Sequence, residues 1–265
     1  MSQGGAAAPR VLVIGGLDPS NGAGITADAR AVQAHGGHAL TVATGLTVQN
    51  RHGYRGGTAV APDLLRAQLR AALAEGPVLA VKTGLFLSPD QPGLVAAELL
   101  AGLGHAPPWV VDPVLSATAG GLAGGAELIA ALRAECVPRA HVVTPNLPEL
   151  EALAPAGAHE LLAAGARAVL VKGGHGAGDE VVDVLHGAGG PHRFAHPRLG
   201  VGPVHGTGCA LASAIAAGLA HGREVRAACA VAIGWLQRCL RATVPAGDGL
   251  PVPLVHVALD AGGRG

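Results

Sequence analysis

A glycine-rich run directly before a long stretch of small apolar residues has the composition of a phosphate-binding loop. Residues 205–209 read His-Gly-Thr-Gly-Cys, and mostly alanine follows with a helical pattern. Such a run leaves backbone N–H groups free at a helix N-terminus, where the helix dipole favours an anion. Cys209 would lie in the first turn as a candidate proton acceptor beside that anion. The run therefore indicates either a group-transfer site or a loop whose glycines pack closely.

A second polar motif follows a predicted strand that ends at Thr144. Pro145 and Pro148 restrict the backbone, and Asn146 and Glu149 stand three positions apart at a predicted helix start. An asparagine followed by an acid at this spacing is typical of a helix-capping pair. The same amide and carboxylate could organise a hydrated Mg²⁺ ion near phosphates. The scarcity of asparagine in the chain favours the Mg²⁺ interpretation, and both stay open.

Lysine occurs only at positions 82 and 172, although arginine is common. Lys172 follows the apolar run 168–171 and precedes two glycines, which would let a ligand approach its ammonium group. Because a compact ammonium and a planar guanidinium are not interchangeable, a lysine kept in this composition suggests a specific task. Lys172 is therefore a candidate phosphate contact or, alternatively, a surface lysine in a turn. Lys82 is expected to be structural.

Residues 22–27 nearly match the glycine fingerprint of dinucleotide-binding proteins, but their context excludes that class. The preceding strand ends at Gly16, so these glycines come too late for the tight turn between strand and helix. No acidic residue occurs between Asp28 and Asp63, so the carboxylate that would bind the ribose is missing. A Rossmann oxidoreductase is therefore rejected. Asp28 itself is either a solvated helix charge or a group that binds a polar ring substituent.

Composition excludes several other classes. The chain has 265 residues, 49% of them hydrophobic, and zero formal net charge, which gives no sign of a nucleic-acid partner. No apolar run has the length of a membrane span, and residues 1–9 lack the features of a signal peptide. The cysteines show no metal-binding or disulfide spacing, so Cys136, Cys229 and Cys239 are expected to pack in the core. We expect a cytoplasmic protein.

Apolar runs alternate with helical patterns, and this alternation predicts a parallel sheet covered by helices on both faces. Strands are predicted at residues 11–14, 40–48, 78–85, 109–112, 141–144 and 168–171, with a hairpin at 181–185 and 192–195. Helices are predicted at residues 24–36, 62–75, 92–103, 127–135, 147–154, 159–165, 207–221 and 224–241. Residues 51–60 could form a turn or a small hairpin, and the tail from Pro245 is expected to be a loop. We expect a disordered tail over residues 1–10 and a single domain over 11–265, with the polar candidates at the carboxyl ends of strands.

Taken together, the motifs resemble the hydroxymethylpyrimidine/phosphomethylpyrimidine kinases of thiamine biosynthesis, within the ribokinase-like superfamily. The matching segments occur in the order found in that family. They are residues 15–28, 48–50, 81–84, 112–114, 144–149, 172–175 and 205–209. The resemblance implies an α/β fold of three layers, α/β/α, around a mostly parallel sheet. It also implies transfer of a phosphoryl group from ATP, with Mg²⁺, to 4-amino-5-hydroxymethyl-2-methylpyrimidine and to its monophosphate.

The resemblance implies a role for each candidate residue. The pyrimidine would be held by Gly16, Asp28, Gln49, Leu85 and Val114. ATP would be contacted by Lys172, Asn146 and Thr207, and Mg²⁺ by Asp112 and Glu149 through water. The transferred phosphoryl group would lie on Gly206, Thr207 and Gly208, with Cys209 as the general base. Because a helix N-terminus stabilises a thiolate, we expect a lowered pKa for Cys209.

The chain departs from the family pattern at three places, and other functions stay open. Asn21 replaces a common glycine, Leu85 replaces a common methionine, and residues 115–120 lack a lysine that bears on closure of a lid over the phosphates. Pyridoxal kinases are the near alternative, because some members of this branch use the same cysteine-bearing anion hole. A non-catalytic pyrimidine-binding regulator is a second alternative, which the complete set of site residues disfavours. A homodimer is expected, as is usual for this fold.

Overall fold

The computed structural model describes residues 7–115, 125–175 and 178–259. Residues 1–6 of the predicted tail lie outside this range. So do residues 116–124, which hold most of the segment that lacks the family lysine. The first strand begins at Arg10, so this residue belongs to the sheet rather than to the predicted tail.

Strands and helices alternate through most of the chain, as predicted. The strands are β1 (Arg10–Leu17), β2 (His38–Asn50), β3 (Gly53–Ala59), β4 (Val78–Thr83), β5 (Trp109–Val111), β6 (Val142–Val143), β7 (Ala168–Val171), β8 (Glu180–Gly187), β9 (His192–Pro197), β10 (Val204–His205) and β11 (Val252–Pro253). The α-helices are α1 (Gly24–Ala34), α2 (Pro62–Ala74), α3 (Asp90–Gly102), α4 (Gly125–Ala131), α5 (Leu147–Leu153), α6 (Ala158–Ala163), α7 (Thr207–Ala220) and α8 (Val225–Ala242).

One sheet of nine strands runs through the molecule in the order β3-β2-β1-β4-β5-β6-β7-β8-β9. The strands from β2 to β7 in this order are parallel neighbours, whereas β3 at one edge and β8 and β9 at the other pair antiparallel. The predicted, mostly parallel sheet is therefore confirmed. Parallel strands end at the same edge, so the polar residues that follow them can meet there.

Alternate residues of the central strands face two separate hydrophobic cores. In β1, Val11 and Val13 pack in the core that contains α1, α7 and α8, while Leu12 and Ile14 pack in the core that contains α2, α3, α4 and α6. The two-residue period of a strand produces this division. The residues of α7 from Ala210 to Ala220 are all buried, because this helix packs against α1, α8 and the sheet. The predicted three-layer fold is confirmed.

Three local features extend or correct the sequence predictions. β3 pairs with β2, so residues 51–60 supply the turn and the second strand of a hairpin with β2, rather than a small hairpin of their own. The helix predicted over 127–135 leaves the α conformation after Ala131 and continues as a π turn and a 3₁₀ turn to Arg139. The tail was expected to be a loop throughout, which is wrong, because β11 pairs with β10 directly before residues 206–209.

Among the described residues, no helix is both long enough and apolar enough to span a membrane.

Candidate active site

A cavity of about 620 Å³ lies at the carboxyl ends of the central strands. Every residue that the sequence analysis selected for the site lines this cavity, although these residues come from separate segments. They are Gly16, Asp28, Gln49, Leu85, Asp112, Val114, Asn146, Glu149, Lys172, Gly206, Thr207, Gly208 and Cys209. The topology explains their convergence, since β1, β4, β5, β6 and β7 run side by side and in parallel. The roles of the individual residues stay predictions.

One wall of the cavity contains the residues predicted to bind a ring. Gly16 packs so closely on Leu85 that a Cβ at Gly16 would lie 2.9 Å from Leu85 Cδ2. The missing side chain at Gly16 therefore leaves bare backbone beside an apolar side chain. Val114 adds a second apolar side chain to the lining, and Gln49 adds an amide from β2. This set of groups suits a flat ring that has apolar faces and a polar edge.

Asp28 and Lys82 form an ion pair with no exposed surface. Lys82 Nζ lies 2.8 Å from Asp28 Oδ2, and both side chains are 0% exposed. The Ser213 hydroxyl of α7 donates to the other oxygen of Asp28, at 2.8 Å. A buried ion pair persists when its remaining polar atoms are also satisfied. Lys82, expected to be structural, joins β4 to α1 in this way, and the contact of Asp28 with a pyrimidine stays a prediction.

The glycine run before α7 has the backbone of an anion site. Gly206 is the N-cap residue with φ +85°, a left-handed conformation that favours glycine. The amide of Ala210 donates to the Gly206 carbonyl, at 3.0 Å, so the amides of residues 207–209 come before the first helical bond. Lys172 adds positive charge beside them, because a Cβ at Gly208 would lie 3.3 Å from Lys172 Nζ. Amides, helix dipole and ammonium together can bind a phosphoryl group.

The Cys209 thiol lies in the first turn of α7, but its pKa departs from the expected direction. Burial is the largest influence and raises the pKa to about 12. Lys82 lowers this pKa, Asp28 and Asp112 raise it, and the Gly24 amide lowers it by hydrogen bonding to the thiol. The prediction of a lowered pKa is wrong, because burial and the carboxylates raise the pKa more than Lys82 and Gly24 lower it. The thiol is therefore protonated near neutral pH.

A second lysine and two carboxylates form a cluster beside the anion site. Lys172 Nζ lies 3.0 Å from Asp112 Oδ1 and 3.7 Å from Glu149 Oε2. Burial tends to lower the pKa of Lys172, but Asp112 and Glu149 raise it overall. Burial tends to raise the pKa of Asp112, but Lys172 and Lys82 lower it overall. Near neutral pH, Lys172 is thus a charged ammonium and Asp112 an ionised carboxylate.

Asn146 and Glu149 form the capping box that was one of two interpretations of their spacing. Asn146 Oδ1 accepts a hydrogen bond from the Glu149 amide at 2.9 Å, and Glu149 Oε2 accepts one from the Asn146 amide at 2.8 Å. The box starts α5 and holds the Glu149 carboxylate near Lys172. Within residues 7–115, 125–175 and 178–259, no three His, Cys, Asp or Glu side chains are grouped to hold a metal ion.

The far end of the cavity contains residues that the sequence analysis did not select. His196 of β9 bonds to Asp183 of β8, at 3.2 Å, and to Gln237 of α8, at 3.0 Å. Leu236 and Leu240 of α8 add apolar surface. These residues lie in the helix predicted over residues 224–241, and nothing in its pattern separates core positions from cavity positions. The predicted hairpin could have indicated that His196 and Asp183 lie near the cavity, because the hairpin follows Lys172 in the chain.

The family is shown by sequence comparison. A profile of the phosphomethylpyrimidine kinase family matches residues 18–253. This range holds nearly all of the described chain, including the cavity residues from Asp28 to Cys209. The chain therefore belongs to the phosphomethylpyrimidine kinase family, as the motifs indicated.

Individual relatives agree with this assignment. The chain is 38% identical over 252 residues to the hydroxymethylpyrimidine/phosphomethylpyrimidine kinase of Streptomyces coelicolor, covering 91% of this chain and 92% of the relative. It is 39% identical over 254 residues to the thiamine biosynthesis bifunctional protein ThiED of Geobacter sulfurreducens, covering 90% of this chain and 50% of that protein. An ADP complex of Bacillus subtilis pyridoxal kinase matches with a TM-score of 0.83 and 28% identity, covering 95% of this chain and 98% of that structure. The ribokinase-like fold is thereby confirmed.

Proposed function

We propose that this protein transfers the γ-phosphoryl group of ATP to 4-amino-5-hydroxymethyl-2-methylpyrimidine and then to the resulting monophosphate. The product would be the pyrimidine diphosphate used in thiamine biosynthesis. The observation that carries the proposal is the approach of Lys172 to Gly208, which joins an ammonium group to the helix amides beside Cys209. Membership of the phosphomethylpyrimidine kinase family supports the choice of substrate.

The pyrimidine would lie against Gly16, Leu85 and Val114, with its hydroxymethyl group directed toward Cys209. Gln49 would bond to the polar edge of the ring. Asp28 would accept a further hydrogen bond from the ring's amino group, since each carboxylate oxygen has two lone pairs. Leu85 is close in volume to the methionine common in the family, so the same ring would fit.

The amides of residues 207–209 would hold the transferred phosphoryl group, while Lys172 and Asn146 contact the phosphates of ATP. The acceptor oxygen forms a bond to the γ-phosphorus as the bond from that phosphorus to the β–γ bridging oxygen breaks. ADP leaves with the electron pair of the broken bond. Such transfer depends mainly on positioning and charge stabilisation. Lys172 suits this task, because neighbouring carboxylates keep its ammonium charged.

Asp112 and Glu149 would hold Mg²⁺ through water. The hydrogen bonds that Asp112 accepts from Thr144 and Lys172 both end on Oδ1, and the contacts of Glu149 with Asn146 and Lys172 both involve Oε2. One oxygen of each carboxylate remains for waters around a divalent cation, so this donor set fits Mg²⁺. When bound, Mg²⁺ supplies positive charge that neutralises the phosphates.

Cys209 would accept the hydroxyl proton of the alcohol substrate as the new bond forms. Because the pKa of its thiol is raised to about 12, the thiolate fraction is small near neutral pH and grows as pH rises toward that value. We therefore expect kcat/KM for the alcohol to increase with pH above neutrality. The monophosphate accepts through an ionised phosphate oxygen, so its phosphorylation needs Cys209 less.

Steady-state ADP release with the pyrimidine alcohol, its monophosphate and pyridoxal tests this proposal. Cys209→Ala should keep substrate binding, lose about 10²-fold in turnover of the alcohol, lose the alkaline rise, and lose less with the monophosphate. Cys136→Ala is the matched control, because Cys136 is buried in the opposite core, and its turnover should be unchanged. Undiminished alcohol turnover in Cys209→Ala would remove this thiol from the mechanism.

Pyridoxal kinase activity is a second candidate, favoured by the similarity to the Bacillus subtilis pyridoxal kinase structure. Pyridoxal also carries a hydroxymethyl group on a flat heteroaromatic ring, so the wall at Gly16 and Leu85 suits it as well. A higher kcat/KM with pyridoxal than with the pyrimidine alcohol would make this the main activity.

We also propose that residues 11–265 act as one catalytic domain in a cytoplasmic homodimer. The cysteines Cys136, Cys209, Cys229 and Cys239 are all free, which supports a reducing compartment. Light scattering coupled to size-exclusion chromatography measures the mass of the assembly, and a monomer mass would contradict the dimer.

A further inference from the structure

Asp18 is fully buried and accepts hydrogen bonds on both of its carboxylate oxygens. Oδ1 accepts from the amide and the hydroxyl of Ser20, each at 2.8 Å. Oδ2 accepts from the Ala23 amide at 2.8 Å and from His205 Nε2 at 3.0 Å. The first three bonds close the connection between β1 and α1. We call residues 16–24, which run from the end of β1 to the start of α1, the ring loop. The bond from His205 reaches a different segment, β10.

The Asp18–His205 bond joins two glycine-rich loops that already touch through their backbones. A Cβ at Gly22 would lie 2.3 Å from His205 Cδ2, and a Cβ at Gly206 would overlap the Gly22 carbonyl oxygen. Besides the Asp18–His205 bond, the ring loop and residues 205–209 thus meet at two further points, both of them at Gly22. We call the wall formed by Gly16, Leu85 and Val114 the ring wall. A displacement of either loop would change the distance between the ring wall and the anion site at residues 207–209.

We propose that Asp18 and His205 are a positioning pair that holds the amides at the start of α7 in register with the ring loop. His205 immediately precedes Gly206, and a carboxylate can only accept hydrogen bonds, so His205 Nε2 carries the proton that Asp18 binds. The inference rests on the proposed function, because the ring loop is where the alcohol would lie and residues 207–209 are where the phosphoryl group would lie. A misplacement of about 1 Å between reacting groups can lower a rate 10²-fold.

The pair would act on turnover more than on binding. Each substrate keeps contacts outside the two loops when the loops separate, since Leu85 and Lys172 belong to other segments. The distance between the acceptor oxygen and the γ-phosphorus, in contrast, depends on both loops together. Loss of the bond should therefore lower kcat, calculated per folded molecule with the folded fraction measured by circular dichroism, and leave the two KM values nearly unchanged.

His205→Leu removes the donor with little change in volume, and His205→Gln restores an N–H donor of similar reach. We expect His205→Leu to lower kcat between 10-fold and 100-fold, with KM for ATP and for the acceptor within threefold, and His205→Gln to recover most of the loss. Ser20→Ala is the matched control, because it removes one bond to Asp18 inside the ring loop and leaves the bond to His205. Its kcat should stay within threefold of wild type.

Gly22→Ala provides a second route if His205→Leu folds poorly, because its new Cβ pushes against the His205 ring while both members of the pair remain. It should show the same split between kcat and KM. Equal kcat in wild type, His205→Leu and Gly22→Ala would overturn the proposal, as would an equal loss in His205→Leu and His205→Gln.

Amide hydrogen exchange separates this proposal from the proposed function. His205→Leu should increase exchange in peptides that cover the ring loop and residues 205–209 together, and His205→Gln should restore protection, whichever alcohol is phosphorylated. Unchanged exchange in both peptides would contradict the positioning pair. Absence of wild-type turnover with all three acceptors would instead contradict the proposed function.

Discussion

The two lysines of this chain both pair with carboxylates, but their side chains differ in exposure to solvent. Lys82 pairs with Asp28, and both side chains are 0% exposed. Lys172 lies between Asp112 and Glu149, and its side chain is 13% exposed. Lys82 lies near the end of β4, Lys172 directly follows β7, and both line the cavity. One cluster is closed to solvent, and the other opens toward the place where phosphates would lie.

Burial distinguishes a lysine that we expect to be structural from one that we propose to contact phosphates. Burial tends to lower the pKa of Lys82, but Asp28 and the neighbouring acids raise it overall, so this ammonium stays charged inside the protein. Lys82 Nζ is bonded to Asp28, and its side chain is 0% exposed. Lys172 is also kept charged by acids, but its side chain is partly exposed and lies beside Gly208, where we propose that a phosphate binds. We therefore expect loss of the closed pair mainly to reduce stability, in addition to disturbing the proposed contact of Asp28 with the ring, and loss of the open cluster mainly to reduce catalysis.

The largest effect is expected for Lys82→Met, which breaks the closed pair. The Asp28 carboxylate would be left buried without its cation, and such a loss costs about 3–5 kcal/mol of the free energy of unfolding. Urea denaturation followed by circular dichroism measures it. The double variant Lys82→Met with Asp28→Asn should recover part of this loss, because no unpaired charge remains. A single variant as stable as wild type would show that the pair is not structural.

A smaller effect on stability and a large one on catalysis are expected for Lys172→Met. Removing one charged donor from a transferring group typically lowers kcat by about 10²–10³-fold. KM for the pyrimidine should change little, because the ring wall is formed by other segments. The coupled assay for ADP release gives both constants. If Lys172→Met instead lowered the free energy of unfolding as much as Lys82→Met, the contrast between a stabilising pair and a catalytic cluster would be contradicted.

The smallest effect on stability is expected for Glu149→Gln, which separates the two interpretations of the motif at residues 146–149. Glutamine can replace glutamate in a capping box, so the free energy of unfolding should fall by less than about 0.5 kcal/mol. The lost charge should raise the Mg²⁺ concentration for half-maximal activity several-fold. Glu149→Leu is the control that also loses the cap, at about 1 kcal/mol. An unchanged Mg²⁺ requirement in Glu149→Gln would leave Glu149 with a capping role alone.

Much of the fold could be predicted because buried parallel strands form continuous apolar runs. The runs at residues 11–14 and 168–171 are of this kind, and both are central strands. β10 and β11 were missed because each has only two residues and adjoins proline or glycine, which interrupts any apolar run. Residues 51–60 stayed ambiguous because their glycines are compatible with both a turn and a strand.

The convergence of residues that follow parallel strands could be predicted from the sequence. Ion pairs between side chains far apart in the sequence could not. Topology brings Asp112, Asn146 and Lys172 together once the strands are parallel. The pairing of Lys82 with Asp28, 54 positions apart, has no local signal. The raised pKa of Cys209 depends on the surrounding side chains, which the position at a helix start does not reveal.

The burial of α7 along its length limits how this protein can adapt to a different alcohol. Residues from Ala210 to Ala220 have no solvent-facing side, and a Cβ at Gly218 would lie 3.1 Å from the Cβ of Ala228 on the neighbouring helix. The helix cannot tilt or slide without repacking a core. We therefore expect new acceptor specificity to arise by substitution in the loops around the cavity, while the end of α7 that we propose to hold the phosphoryl group keeps its place.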